Sequence, residues 1–312
     1  MTAVALSTMW AQQERFATDF VAFARVARSA GYDGIEVSHS TGPEGLAALL
    51  RQEVLPVLSL HAPAPRVPAR GGSNGGLNLA STDEDERREA VTHTLRTIAY
   101  AATVGARYVV VHLGGLPAML PAERHLRELY HAGQIASAAA DVARAEAHRE
   151  RASAVALHLA AARRSLAEIA REAAARGVVI GLENRLHYHE IPSAEETLAL
   201  LADYPPHEVG YWHDVGHAEV QGRLGLLDPR AVLTALAPRL VGTHLHDVHG
   251  ITDHRAPGNG DVDWSYIAAA LPPDAARTLE IDQREPEPLL AEALRVLRAH
   301  GVLAPAEAGS TT

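Results

Sequence analysis

The chain contains no cysteine and no lysine. The first absence rules out disulfides, thiolate nucleophiles and sulfur-ligated zinc or iron–sulfur centres. The second rules out a lysine Schiff base. All 28 basic residues are therefore arginines, set against 38 carboxylates for a formal net charge of −10. That balance opposes binding to a polyanion, so nucleic acid is not an expected partner. Any metal must be held by histidine and carboxylate, and there are 18 histidines to draw on.

Long apolar runs are also missing. The opening MTAVALSTMWAQQE has no basic segment followed by the apolar stretch of about 7–15 residues that a secretory signal requires. The alanine-rich stretch 136–147 is broken by Asp141, Arg144 and Glu146, well short of the about 20 apolar residues that span a bilayer. The expectation is a cytoplasmic protein with no membrane partner. With 47% apolar and 21% charged residues, the composition is that of a globular chain able to bury a large core.

What is present is an alternation. Short apolar runs at 4–7, 34–37, 56–61, 108–112, 178–183, 209–213, 240–244 and 278–281 read as strands. Longer amphipathic stretches lie between them, among them 20–30, 83–104, 165–176, 194–202 and 288–300. Strict alternation implies a parallel sheet with right-handed crossovers, and eight units close a barrel. The expected fold is thus an α/β (β/α)8 TIM barrel, with an open doubly wound sheet as the alternative. At 312 residues the chain exceeds the usual domain, yet such barrels occupy about 250 residues as one unit. A single domain over 1–303 is expected, followed by a disordered tail over 304–312.

Two stretches exceed the minimal plan. Residues 66–76 (RVPARGGSNGG) are rich in Gly, Pro and Ser and predict a mobile loop beside the active-site face. Residues 121–164, after the fourth strand, carry apolar positions at helical spacing and predict an inserted helical hairpin. Its role is a structural cap, a contact between copies of a homo-oligomer, or a substrate lid.

In a parallel barrel, chemistry sits where strands end and βα loops begin. Those positions are polar here: His61, His112, Glu183, Asp214 with His217, His244 and Glu280. Strand alternation is compatible with an inward direction for His61, His112, Glu183 and Asp214, whereas His213 should face the outer helices in a structural role. Several carboxylates converging on one mouth would repel one another, which points to a bound cation. Mixed imidazole and carboxylate ligation suits Zn, Mn, Co or Fe.

These strand-end residues, in this order, resemble the superfamily that contains the xylose isomerase-like sugar isomerases, the ketose 3-epimerases and the endonuclease IV apurinic-site endonucleases. The pieces that carry the resemblance are NLASTDEDERREAV, GLENR, DVGHA and THLHDVHGITDHRAPGNGDVDW, within a match running from about Val4 to Leu297. The sugar-epimerase branch implies one metal held by Glu183, Asp214, His244 and Glu280. The two glutamates, on opposite faces of the sugar, would remove and return a proton beside a carbonyl. The endonuclease branch implies three zinc ions and adds His61, His112, His217 and His254, together with an aspartate shortly before the last. Here that aspartate is displaced by one position, to Asp253 after Thr252.

His61 and His112 are alternatively donors to substrate hydroxyls, and Arg185 and Arg255 are candidates to hold a phosphate or carboxylate. His246 shares a face with His244, but the motif favours His244 as the ligand. Residues 257–260 (PGNG) read as a turn. The implied function is a divalent-metal-dependent isomerase or epimerase acting on a sugar, sugar phosphate or related polyol, with one to three ions. The alternative is a multinuclear metallo-phosphoesterase, and a non-catalytic sugar-binding barrel is the third reading.

Overall fold

The computed structural model describes residues 2–305. Eight parallel strands form a closed barrel: β1 (Val4–Ser7), β2 (Gly34–Val37), β3 (Val57–His61), β4 (Tyr108–Val111), β5 (Val179–Glu183), β6 (Val209–Asp214), β7 (Leu240–Leu245) and β8 (Ala276–Leu279). They pair in chain order, and β1 closes the ring by pairing with both β2 and β8. Closure excludes the open-sheet alternative. The strands read as apolar runs because both of their faces are covered.

The ends of four strands differ from expectation, β6 and β7 each running one residue further, to Asp214 and Leu245. β4 stops at Val111 and β8 at Leu279, so His112 and Glu280 are the first residues of the loops that follow. Trp212 fixes the inner packing beneath the mouth. A Cβ on Gly181 or Gly242 of the flanking strands would meet its ring at 2.7 or 2.1 Å, so the indole fills space that only glycine neighbours leave open.

Helices cover the barrel. α1 (Phe20–Ala30) begins where Asp19 accepts the Ala22 N–H and stops at Gly31, whose left-handed φ of 98° suits glycine. α2 (Pro43–Arg51) follows β2. α3 (Glu84–Val104) starts one residue later than the sequence pattern suggests, because Asp83 serves as the cap and accepts the N–H groups of Asp85 and Glu86.

The stretch expected as an insertion holds α4 (Pro121–His131) and the first part of α5 (Ala138–Ala175), which pack together. α5 is one helix of 38 residues. No break falls at residue 164, so the separately predicted helix over 165–176 is its C-terminal part. Arg151 ties α5 to the loop after β5, donating to both Glu196 carboxylate oxygens and to the carbonyls of Tyr188 and Glu190.

Residues 66–76 are more regular than their composition suggests. Pro68–Ala69 and Gly72–Ser73 pair antiparallel about Gly71, at φ 74°, and a 3-10 turn follows over Asn74–Gly76. Buried Asn74 accepts the Val67 N–H and donates to the Pro65 carbonyl, which holds the segment against the barrel. The remaining helices are α6 (Ala194–Leu201), α7 (Val215–Arg223), α8 (Pro229–Leu236), α9 (Trp264–Ala270) and α10 (Pro288–Ala299). Of the expected disordered tail, residues 306–312 lie outside the described residues.

Candidate metal centre

Strands β5, β6 and β7 and the first residue after β8 bring Glu183, Asp214, His244 and Glu280 together. One ligand atom of each lies within 4.8 Å of the others, and all four side chains are buried. His244 Nδ1 is the hub, 2.7 Å from Glu183 Oε1, 3.1 Å from Glu280 Oε2 and 3.6 Å from Asp214 Oδ2. Asp214 also caps α7, accepting the His217 N–H at 2.7 Å, so its carboxylate is held by the helix it starts.

The electrostatics are those of a site that wants positive charge. Burial alone would raise the carboxyls of Glu183, Asp214 and Glu280, yet the surrounding histidines hold all three well down. Burial would likewise lower His244, but the carboxylates of Glu280, Glu36 and Glu183 drive it well above the ordinary imidazole value. Protons on histidine therefore offset three buried carboxylates, a task that a dication bound by the same atoms would perform. Three carboxylates and one imidazole are a donor set suited to a first-row divalent ion, and the residues present fit one.

The additional histidines fall into two groups beside this set. His61 Nε2 and His112 Nε2 lie 3.0 and 2.6 Å from Glu183 Oε2, and His61 with Glu183 and His244 forms a second triad of converging ligand atoms. Burial would lower His61, but Glu183 outweighs it and holds the ring above its ordinary value. Burial and Arg185 hold His112 well below.

On the other side, Asp214, His217 and His254 form a third triad. Asp253 joins it, with Oδ2 3.2 Å from His254 Nδ1 and 3.8 Å from His217 Nε2. The one-residue displacement of this aspartate is accommodated by the backbone. His254 has φ 55°, which breaks the alternation of an extended segment and lets two adjacent side chains face the same cluster.

His246 lies at the edge of the cluster with both nitrogens committed. Nδ1 accepts the His254 N–H at 2.8 Å, which leaves Nε2–H to donate to both Asp214 oxygens at 3.0 Å. His213 is apart from the cluster, with Nδ1 2.7 Å from the Tyr211 hydroxyl. Of the two arginines, Arg255 pairs with Glu285. Arg185 donates to Glu190 at 2.5 Å, while its Nε and Nη1 have no protein partner among the described residues. It lines a cavity of about 450 Å³ together with His39, His112, Asn78, His158 and His189. The PGNG turn closes on Asp247, which accepts the N–H groups of Gly258 and Val262.

Three participants escape the sequence reading. Asn184 clamps the backbone of Asp214, accepting its N–H at 2.8 Å and donating to its carbonyl at 2.9 Å. Its place in GLENR, next to Glu183, is the signal that could have found it. Glu36, in the interior of β2, faces His244. Glu123, fully buried at the start of α4, meets His187 and His189 of the loop after β5. It also accepts the Tyr188 and His189 N–H groups and lies beside Arg127, so that cluster ties the insertion to the loop.

The sequence matches the family model described as xylose isomerase-like TIM barrel over residues 24–300. No curated protein matches it significantly in sequence. Among solved structures, a D-tagatose 3-epimerase-like protein is 18% identical, with a TM-score of 0.66 and 96% of each chain covered. L-ribulose 3-epimerase is also 18% identical, with a TM-score of 0.64 over 99% of this chain and 89% of that one. The 3-keto-D-glucoside 4-epimerase of E. coli is 17% identical, with a TM-score of 0.65 over 96% of this chain and 100% of that one. At such identities the likeness is one of fold. The family match spans most of the chain, and with the closed barrel and its strand-end residues it identifies the protein as a member of the xylose isomerase-like TIM barrel family.

Proposed function

We propose that the protein is a divalent-metal-dependent sugar isomerase or epimerase, in which Glu183 and Glu280 move a proton on a carbon beside a carbonyl. The observation that supports it most is the pairing of these two glutamates. They come from β5 and from just beyond β8, and each brings an oxygen to the same His244 nitrogen, at 2.7 and 3.1 Å. Glu183, Asp214, His244 and Glu280 would hold the ion (Zn, Mn, Co or Fe), which when bound polarises a carbonyl and stabilises the enediolate.

The chain's own groups supply the rest. One glutamate takes the proton from one face of the sugar and the other returns it on the opposite face. Asn184 and His246 keep Asp214 in place. His61, His112 and Arg185 offer hydrogen bonds to substrate oxygens, and Arg185 can receive a phosphate or carboxylate where the substrate carries one. Among the named structural neighbours are L-ribulose 3-epimerase, 3-keto-D-glucoside 4-epimerase and a D-tagatose 3-epimerase-like protein, and a sugar, sugar phosphate or related polyol is the proposed substrate class here. The reaction is proposed to take place in the cytoplasm, on a barrel spanning 1–303 that acts as one unit.

The test is incubation with a panel of ketoses and their phosphates in deuterated water. Epimer formation with solvent exchange at one carbon is expected, lost on chelation and restored by Mn²⁺ or Co²⁺. Full activity after exhaustive chelation would overturn the reading.

A second reading draws on the triad of Asp214, His217 and His254 and on His61 beside Glu183, which together offer room for further ions, as in a multinuclear phosphoesterase. It requires more than one tightly bound ion per chain and hydrolysis of a small phosphoester. Abasic duplex DNA is not its expected substrate, because a net charge of −10 forfeits the counterion-release contribution to binding.

A further inference from the structure

We infer that Glu36 is a positioning residue of the metal centre, which holds His244 in the orientation and tautomer in which Nδ1 is free to be a ligand. The inference rests on reading Glu183, Asp214, His244 and Glu280 as the ligands. Glu36 stands outside that set. It is fully buried in β2, its Oε1 is 2.8 Å from His244 Nε2, and its Oε2 accepts the Ser59 hydroxyl at 2.7 Å.

The barrel register explains the arrangement. Glu36 pairs with Ser7 on β1 and with Ser59 on β3, so all three point inward in one polar layer beneath the mouth. Ser7 in turn lies 3.4 Å from Glu280 Oε1, and Ser59 braces Glu36. Among the described residues, the one charged group within ion-pair distance of Glu36 is His244. A buried carboxylate with a single charged partner is costly unless that partner needs it.

The chemistry follows from the two ring nitrogens. A carboxylate only accepts, so Glu36 keeps the proton on Nε2. Nδ1, which faces Glu183 and Glu280, is then the nitrogen that gives up its proton when an ion binds. Without Glu36, a neutral ring could carry its proton on Nδ1, where it would donate to Glu183 or Glu280 and close the ligand position. A carboxylate behind a histidine ligand also raises the basicity of the coordinating nitrogen. The ring has little freedom otherwise, being stacked on His61 at 5.7 Å between centroids and edge-on to Trp212 at 5.4 Å.

The test is calorimetric titration of metal-free wild-type, Glu36→Gln and Ser59→Ala proteins with Mn²⁺, alongside thermal unfolding of the same metal-free samples. Glu36→Gln preserves shape and should weaken Mn²⁺ binding by roughly 10–100-fold. Ser59→Ala, which removes only the brace, should weaken it less and in the same direction. Neither change should lower the metal-free unfolding temperature in proportion, as a merely structural role would require. Wild-type affinity in Glu36→Gln, or in Ser59→Ala should the first variant fail to fold, would overturn the inference alone. Failure of the wild-type protein to bind Mn²⁺ at all would overturn the ligand reading beneath it as well.

Discussion

His61 and His112 bring their Nε2 atoms to 3.1 Å of each other above the same Glu183 oxygen. Their protonation is pushed in opposite directions, His61 upward by Glu183 against its burial and His112 downward by burial and Arg185. His112, the more exposed of the two at 25%, is the one that lines the cavity of about 450 Å³. If the pair binds substrate oxygens, His112→Ala should leave the number of bound ions per chain unchanged and raise KM about tenfold or more, the loss of one or two hydrogen bonds. Elemental analysis beside steady-state kinetics decides it. Loss of an ion in His112→Ala would move the multinuclear reading to first place.

The insertion reaches the loop after β5 through Arg151. Its guanidinium is nearly buried and makes a bidentate pair with Glu196 at 2.6 and 2.7 Å, while also capping the carbonyls of Tyr188 and Glu190. Arg151→Met keeps the apolar stem but leaves the half-buried Glu196 carboxylate without its bidentate partner and two loop carbonyls uncapped, which should cost about 1–3 kcal/mol. Urea unfolding should show that loss, and Glu196→Gln in the same chain should recover part of it. A change under about 0.5 kcal/mol would mean that α5 is not anchored to the β5 loop by this contact.

The strand-end residues were legible because a parallel barrel exposes its chemistry at predictable places. A histidine closing VVVH or a glutamate closing VIGLE stands out against an apolar run. Glu36 did not stand out. It lies inside GIEV, where a single acidic residue reads as the solvent side of a half-buried strand, and its partner His244 is 208 residues away. Register across three strands, rather than any local pattern, brings the two together. The continuity of α5 was hidden for the opposite reason. An unbroken run of Ala, Arg and Glu carries no stop signal at 164, so the helix continues through the expected boundary. Asp253 is displaced by one position from the endonuclease pattern, and the left-handed backbone at His254, which no local sequence pattern announces, is what lets it face the cluster.

Acid should act on the loop that carries Arg185. Burial would raise the Glu190 carboxyl, but the Arg185 guanidinium and the His187 backbone N–H outweigh it and hold the group at about 2 against an ordinary 4.5. A depressed folded-state value stabilises the fold fully above the unfolded value, and that contribution is lost as pH falls from about 4.5 towards 2. The difference corresponds to about 3 kcal/mol at most. Wild-type protein should accordingly exceed Glu190→Gln in stability at pH 7, and the gap should shrink across that window. Chemical denaturation of both proteins at pH 7, 4 and 2.5 measures it, and a gap that stays constant would assign the stability to other groups.

Glu183 and Glu280 bear roles under the isomerase reading that the hydrolase reading does not give them. If the pair shuttles the substrate proton, Glu280→Gln keeps nearly the same shape and one oxygen ligand while losing basicity. General base catalysis is worth about 10²–10⁴-fold, so turnover should fall by at least that range while metal is retained. In a multinuclear hydrolase the same substitution acts chiefly by weakening metal affinity, and excess metal then restores much of the rate. Turnover of Glu183→Gln and Glu280→Gln across a metal titration, with exchange of the carbon-bound hydrogen into solvent followed alongside, separates the two. Loss of exchange that metal does not rescue supports the shuttle. Rescue by metal, or absence of exchange in the wild-type protein on every sugar tried, would remove the pair from acid–base chemistry and leave the two glutamates as ligands only.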